Sequence, residues 1–464
     1  MPSSEQHALL PTEKRAILSL GALYAFRMLG LFMVLPVLVL YAANFAHSTP
    51  LLIGLALGVY GLTQALLQIP FGLLSDRFGR KQIIYAGLLL FIAGSVIAAL
   101  AESIWGVILG RALQGSGAIS STVLALLSDV TRQQQRTKAM ALIGMSIGLT
   151  FAVALIVGPG LSARFGVSAI FWLTALLAAV GVLITWRLVP TPVSTDAFDG
   201  QTRTIAGFMC RALLHPELLR LNTGIFTLHF ALTAVFVGLP LLLRDQLGLE
   251  VGQHAWVYLS VMGGGFVCMV PLMIYADRHA KVREIFLLAV GSLVLAALAI
   301  AMSGQHAEWL LFAALFVFFV AFNLLEANLP SLVSKWAFPA GRGTAMGVYS
   351  TFQFLGAFLG GCGGGLMLGE FGAYGVFYLV AAVAFAWLWL AWGMHAPVAG
   401  HELVLEYDAE RFSARDLSLE LKRLQGVLDV TLIAGDCLAY IRVDGGIFNE
   451  ASLRSYGVMK AQAV

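Results

Sequence analysis

Apolar runs long enough to cross a lipid bilayer recur along almost the whole chain, and this limits its fold more than any other feature. A helix needs about 20 mostly apolar residues to span the hydrocarbon. Only helices and closed barrels satisfy every backbone N–H and C=O there. Read between charged or turn-rich breaks, twelve spans are expected, at roughly 15–42, 51–75, 82–101, 104–128, 138–162, 166–188, 218–243, 253–276, 284–303, 307–334, 343–369 and 373–395. Of the 464 residues, 59% are hydrophobic and only 11% charged. Soluble domains carry about 25% charge, so lipid rather than water must surround most of this chain.

Lys and Arg set the expected orientation. They collect in the N-terminal tail and the even-numbered loops, whereas Arg164 and Arg244 are the basic residues of the opposite loops. Both termini are therefore expected in the cytoplasm. A net charge of +3, spread in this regular way, does not suggest nucleic acid as a partner. Cys210, Cys268, Cys362 and Cys437 are far apart and form no ligand-spaced pair, so no disulfide framework, metal site or cofactor is expected. The N-terminus lacks a cleavable leader pattern, and the first apolar run reads as a retained helix.

The Pro-, Ser- and Thr-bearing stretch near Pro190–Pro216 divides the spans six and six. The expected organisation is an N-terminal half (1–189), a cytoplasmic linker (190–216), a C-terminal half (217–396) and a soluble cytoplasmic domain (397–464). Tyr275–Arg283, after the eighth span, looks like a degraded copy of Gly72–Lys81, after the second, and suggests an internal repeat. In the last domain His401–Tyr407 reads as a strand, and Ser413 with Asp416 as a helix cap. Leu417, Leu421 and Leu424 share one helical face. Val427–Ala434 and Cys437–Val443 form a hairpin around Gly435-Asp436, and a second helix is expected near Ile447–Tyr456. Strand-helix-strand-strand-helix, with a short last strand, predicts a ferredoxin-like fold.

Charges inside spans are costly and mark functional candidates. Arg27, Arg111, His229 and Glu326 lie in the first, fourth, seventh and tenth spans, a spacing of three that brings equivalent helices to one centre. At 1.5 Å per residue, His229 lies roughly 15 Å and Glu326 roughly 12 Å from their cytoplasmic helix ends. An imidazole and a carboxylate at similar depth make a candidate proton site, with a structural hydrogen-bonded pair as the alternative. Asn323, one turn before Glu326, is placed to orient it or meet substrate. Arg27 stays protonated and needs a partner, for which Glu326 is the nearest carboxylate by depth. Tyr60, Gln64 and Gln68 share a face of the second span, and Tyr349 and Gln353 one of the eleventh. They read as cavity-lining groups or as internal hydrogen-bonding ones. Gly360, Gly361, Gly363, Gly364 and Gly365 read as a close-packing surface.

Ten consecutive residues, Gly72-Leu73-Leu74-Ser75-Asp76-Arg77-Phe78-Gly79-Arg80-Lys81, closely resemble the signature loop of the major facilitator superfamily of transporters. Arg111-Ala112-Leu113-Gln114-Gly115-Ser116-Gly117 resembles the fourth-span motif of its proton-coupled members, and Gly144, Gly148 and Gly158-Pro159-Gly160 partly resemble the fifth-span antiporter motif. The resemblance covers the whole chain. It implies an all-α membrane protein of two six-helix halves, with a small α+β ferredoxin-like domain appended, in the bacterial inner membrane. The implied activity is not enzymatic: it is proton-coupled efflux antiport by alternating access. Symport or facilitated transport, and a transporter-like sensor, remain as alternatives. Glu326, His229, Arg27 and Arg111 would couple protons. Gly72, Asp76, Arg77, Gly79, Arg80, Lys81 and Asp129 would form the cytoplasmic gate, Asp76 seated at the start of the eleventh helix and Asp129 pairing with Arg77 or Arg80. Tyr60, Gln64, Gln68, Gln114, Asn323, Tyr349 and Gln353 would line the cavity for an unknown small molecule. The appended domain resembles heavy-metal-associated domains, but Asp408-Ala409-Glu410-Arg411 fills their metal loop without cysteine. Regulation, self-association or an ion-sensitive contact is expected of it instead.

Overall fold

A computed structural model describes residues 9–190, 209–210, 212–303, 308–337, 341–395, 401–407, 412–433, 438–443, 447–453 and 456–460. The chain divides into two compact units, Met1–Val333 with Thr344–Met394, and Ser334–Gly343 with His395–Val464.

The first unit is helical. Its N-terminal half contains α1 (Pro11–Val34), α2 (Pro50–Phe78), α3 (Arg80–Ala99), α4 (Ile104–Ser116), α5 (Ser120–Asp129), α6 (Gln133–Phe165) and α7 (Val167–Arg187). Its C-terminal half contains α8 (Pro216–Asp245), α9 (His254–Arg278), α10 (Val282–Met302), α11 (Glu308–Trp336) and α12 (Arg342–Trp392). Among the described residues ten helices are long and apolar enough to cross a membrane. α4 and α5 together supply a further crossing, and α12 supplies two, because Gly372 (φ 70°) interrupts it. Leu379 then comes back to within 3.1 Å of the Cβ position of Gly363. The expected spans are therefore present, with two corrections. The first ends at Val34, and a 3-10 helix at Leu38–Asn44 replaces its expected continuation. The fourth is not continuous: Gly117, with φ −71° and ψ 52°, breaks it.

Close helix approach comes from small residues, since lipid gives apolar side chains little reason to leave it for a helix interface. α3 packs on α4 and α7, α2 on α4, and α1 on α6 and α7. A Cβ at Gly94 would lie 2.6 Å from the Gln114 nitrogen, and one at Gly158 2.6 Å from the Met33 carbonyl. The two halves meet along α2 and the first part of α12. Cβ atoms at Gly58 and Gly365 would lie 2.6 Å from the Phe358 carbonyl and 2.5 Å from that of Pro50. Gly356 and Gly360 turn to α8, where any Cβ would strike the Phe226 and Phe230 carbonyls. Farther along, Phe32, Phe151, Phe236 and Tyr258 form a ring-to-ring chain from α1 through α6 to α8 and α9, with centroids 4.7, 6.5 and 5.7 Å apart.

The Gly72–Lys81 stretch is less of a loop than its composition suggests. Gly72 lies inside α2, and Gly79 (φ 95°) is the single residue between α2 and α3. The repeat is visible here. Pro70 precedes Asp76-Arg77 within α2 as Pro271 precedes Asp277-Arg278 within α9. Where the first copy has Gly79 the second has Ala280, held at φ 52°. A left-handed backbone burdens any residue with a Cβ.

In the second unit, β1 (His401–Tyr407), α13 (Ala414–Arg423), β2 (Val427–Ile433), β3 (Leu438–Val443) and β4 (Gly457–Lys460) form a four-stranded antiparallel sheet in the order β2-β3-β1-β4 with one helix. β3 lies between β1 and β2, so β1-α13-β2 is a split crossover, as the ferredoxin-like reading requires. Leu405, Leu417, Leu421, Ala439 and Ile441 are buried in its core. The second helix near Ile447–Tyr456 is replaced by a 3-10 turn at Glu450–Leu453. Ser413 stands at the helix start, but its side chain makes no capping hydrogen bond. The Gly435-Asp436 turn, Asp408–Arg411, Cys437 and residues 191–208 of the linker lie outside the described residues.

Two stability changes follow. Ala280→Gly relieves the left-handed strain and is expected to raise stability by about 1 kcal/mol, read as a higher thermal midpoint in detergent. Glu13 accepts from the Arg132 backbone nitrogen, Nε and Nη2, each at 2.9 Å, which ties α1 to the entry of α6. Glu13→Gln is expected to lower the same midpoint, at a cost of ~2 kcal/mol.

Candidate functional site

Two polar clusters lie within the spans. In the N-terminal half Tyr60 on α2 is almost fully buried between two arginines. Arg27 on α1 donates from Nη1 to Ser120 Oγ (2.5 Å) and from Nη2 to the Tyr60 hydroxyl (2.7 Å) and to Gln64 Oε1. Its guanidinium carbon lies 5.8 Å from the Tyr60 ring centroid and 5.9 Å from that of Phe91. Arg111 on α4 is 5.0 Å from the same Tyr60 ring and donates to Gln114 Oε1 at 3.0 Å. Gln114 donates in turn to Ser95 Oγ at 2.8 Å. Weaker donations reach the Ala56 and Leu57 carbonyls at 3.4 and 3.5 Å.

The helices supply this geometry directly. A Cβ at Gly115 would strike the Tyr60 carbonyl, so its absence lets α4 carry Arg111 onto the tyrosine ring. The break at Gly117 resets the chain, and α5 opens with Ser120 facing Arg27. The expected Arg27–Glu326 partnership is corrected. Arg27 is 3% exposed and its recorded partners are neutral oxygens and π faces. Each arginine–π contact is worth roughly 0.5–2 kcal/mol, and among the described residues no carboxylate is a partner of Arg27. Among the described residues Arg27 Nε is buried without an acceptor.

In the C-terminal half His229 on α8 and Glu326 on α11 do come together, with His229 Nδ1 3.8 Å from Glu326 Oε2. Gln353 on α12 closes the set, its Nε2 2.8 Å from His229 Nε2. With the Gln353 amide assigned this way it donates, the histidine Nε2 accepts, and a neutral imidazole holds its proton on Nδ1, which at 3.8 Å from the carboxylate is in ion-pair range and outside hydrogen-bond distance. Among the described residues the Tyr349 hydroxyl is buried without a hydrogen-bond partner. Asn323 donates to the Met262 carbonyl at 3.3 Å and pins α11 to α9. Gln68 joins the halves by donating to Thr351 Oγ1 at 2.7 Å. The two clusters approach where the rings of Tyr60 and Phe354 lie 6.5 Å apart.

At the end of α2, Arg80 pairs with Asp76 and with Asp129 (3.0 Å), and also donates to Ser75 Oγ at 2.7 Å. Arg80, and not Arg77, therefore meets Asp129, and the recorded ion-pair partner of Asp76 is Arg80. Arg77 lies 5.5 Å from the ring of its neighbour Phe78. Lys81 is half-buried in the first turn of α3. Sequence reading missed Ser120, Ser95 and Thr351. The first has a signal: it follows closely on Gly115-Ser116-Gly117, where a span of this composition can break.

Comparison with known proteins agrees with this architecture. The sequence profile of the Major Facilitator Superfamily matches residues 20–335 and 221–441. The chain is 46% identical over 445 residues to the inner membrane transport protein YajR of Escherichia coli, covering 96% of this chain and 97% of that protein. It is 27% identical over 347 residues to the multidrug resistance protein MdtH of Aeromonas hydrophila, covering 73% and 84%. The crystal structure of a D-xylose–proton symporter superimposes with a TM-score of 0.67 at 13% identity, covering 83% of this chain and 97% of that one. With two six-helix halves, a duplicated Asp-Arg junction and matches that span the chain, this protein belongs to the major facilitator superfamily of transporters.

Proposed function

We propose that the chain is a proton-coupled efflux antiporter of the bacterial inner membrane that works by alternating access. The observation that carries this reading is the Gln353–His229–Glu326 chain on three different helices. Ionisable groups so placed inside spans mark proton and ligand pathways. A proton arriving at Glu326 neutralises the carboxylate that His229 Nδ1–H faces and so weakens their attraction. Because α8, α11 and α12 each hold one member, the change is felt between helices. Substrate release on one side and proton binding on the other would then bias two arrangements of the halves. Arg80 with Asp76 and Asp129 is the cytoplasmic gate in this scheme, and both termini are cytoplasmic. The similarity to a protein named for multidrug resistance supports export of a small organic molecule. His229, Glu326, Arg27 and Arg111 are assigned to coupling. Tyr60, Gln64, Gln68, Gln114, Asn323, Tyr349 and Gln353 are assigned to the cavity wall. The small α+β domain is assigned to regulation or self-association, so deletion of residues 401–464 should leave transport intact; a sensor would instead lose its signal.

One observation favours a second reading. Arg27 and Arg111 put two positive charges into the N-terminal half with no carboxylate among their recorded partners. That charge balance suits an organic anion, and protonation of Glu326 would favour anion binding rather than compete with it. Proton–anion symport follows from such cooperativity.

Proteoliposomes holding a pH-sensitive dye, challenged with matched organic cations and anions, distinguish these readings. Antiport predicts protons moving against the substrate, and symport predicts both moving together. In either case Glu326→Gln is expected to abolish proton movement while substrate still binds. Substrate flux unaffected by a pH gradient, with Glu326→Gln silent, would sink both. Gln353→Leu removes the donor to His229 Nε2 without touching Glu326. It is expected to displace the pH profile of transport and to lower the rate about 10-fold, in the range typical of a group that positions an acid–base partner.

A further inference from the structure

A groove of about 510 Å³ runs along the surface of the N-terminal half, lined by Pro11, Lys14, Arg15, Leu18 and Ala22 of α1 with Ile184 of α7 and Leu188 just beyond it. Its floor is apolar, and Leu18 is 73% exposed at its edge. One end is strongly basic. Arg15 Nη2 donates to the Arg187 carbonyl at 2.6 Å, which holds the guanidinium over the groove. The Arg187 guanidinium stacks 4.3 Å from the ring of Trp186, an exposed tryptophan of the kind that sits at the membrane–water boundary. The carboxylate on this part of α1, Glu13, is only 2% exposed and is already committed to Arg132 and the Leu10 nitrogen.

Three cations at the helix ends, with no free carboxylate beside them among the described residues, above an apolar trough between two helices, match one kind of molecule. We propose that this groove is a binding site for an anionic phospholipid, its phosphate held by Lys14, Arg15 and Arg187 and an acyl chain lying along Leu18, Ala22 and Ile184. Basic pockets between spans are the usual receptors for such headgroups. The bound lipid bridges α1, which carries Arg27 and Glu13, to α7, and so braces the half that holds the arginine cluster. The site does not depend on the direction of transport or on proton coupling.

The test titrates the purified full-length chain in detergent with phosphatidylglycerol, phosphatidylcholine of the same chains, and inorganic phosphate. Retained lipid by native mass spectrometry and the thermal midpoint are the readouts. Phosphatidylglycerol is expected to bind and raise the midpoint, and the other two to have little effect. Lys14→Gln with Arg15→Gln is expected to weaken binding about 25-fold, roughly fivefold for each lost cation. Lys14→Gln alone keeps the Arg15–Arg187 tether and gives the single step if the double variant fails to fold. Ala22→Phe, which fills the trough and leaves the cations, is expected to reduce lipid binding but not the weak response to phosphate. Lys138→Gln with Arg278→Gln, exposed cations elsewhere, serves as the control. Equal binding of phosphatidylcholine, full reproduction of the effect by phosphate, or equal losses in the control pair would overturn the proposal.

Discussion

Everything in the N-terminal half turns on how two guanidinium groups are kept inside a membrane. Guanidinium cannot give up its proton, so lipid burial must be offset by acceptors and polarisable surfaces. Tyr60 does this for both, with its ring facing Arg111 and Arg27 and its hydroxyl accepting from Arg27. Three helices have to meet at that ring. The glycine contact at Gly115 and the break at Gly117 are what let α4 and α5 come close enough. The C-terminal half solves a different problem, since imidazole and carboxylate can each become neutral. The same superfamily scaffold thus holds a permanently charged cluster on one side and a chargeable one on the other.

Much of the fold could be read from the chain because lipid imposes a simple rule on hydropathy. Long apolar runs became helical crossings, and the Asp76-Arg77 and Asp277-Arg278 junctions fell at equivalent places. What hydropathy could not show was interruption by small residues. Gly117-Ala118-Ile119 is as apolar as its flanks, so the broken fourth span looked continuous. Pro36 in the first run was a visible warning, and the helix does end before it. In the small domain, alternation was enough for the strands, but a single 3-10 turn carries too few residues to distinguish itself from a short helix.

The candidate site was legible residue by residue and less so pair by pair. Arg27, His229 and Glu326 stand out because charge in a span is rare, and depth alone matched His229 with Glu326. Depth failed for Arg27, whose partners were chosen by the lateral packing of α1, α2 and α5. Ser120 and Ser95 are small hydroxyls of a kind common in spans, and nothing marked them as acceptors. Gln68, read as a cavity-lining or an internally hydrogen-bonded residue, ties the halves through Thr351. The degraded repeat also had a cost that composition only hinted at: losing glycine left Ala280 to make the turn that Gly79 makes freely.

The seam between α2 and the first part of α12 is made of glycine surfaces laid against carbonyl groups, with hardly a side chain interposed along Gly54, Gly58 and Gly61. Side-chain interlocking works like teeth on a gear, and each tooth must disengage before the parts can turn. A seam with few teeth has few rotamers to switch and little apolar volume to re-pack. Rocking of one half against the other along these glycines would re-pack few side chains, chiefly the Tyr60 and Phe354 rings. It has the construction of a plain bearing, with Gln68 and Thr351 as a catch near one end.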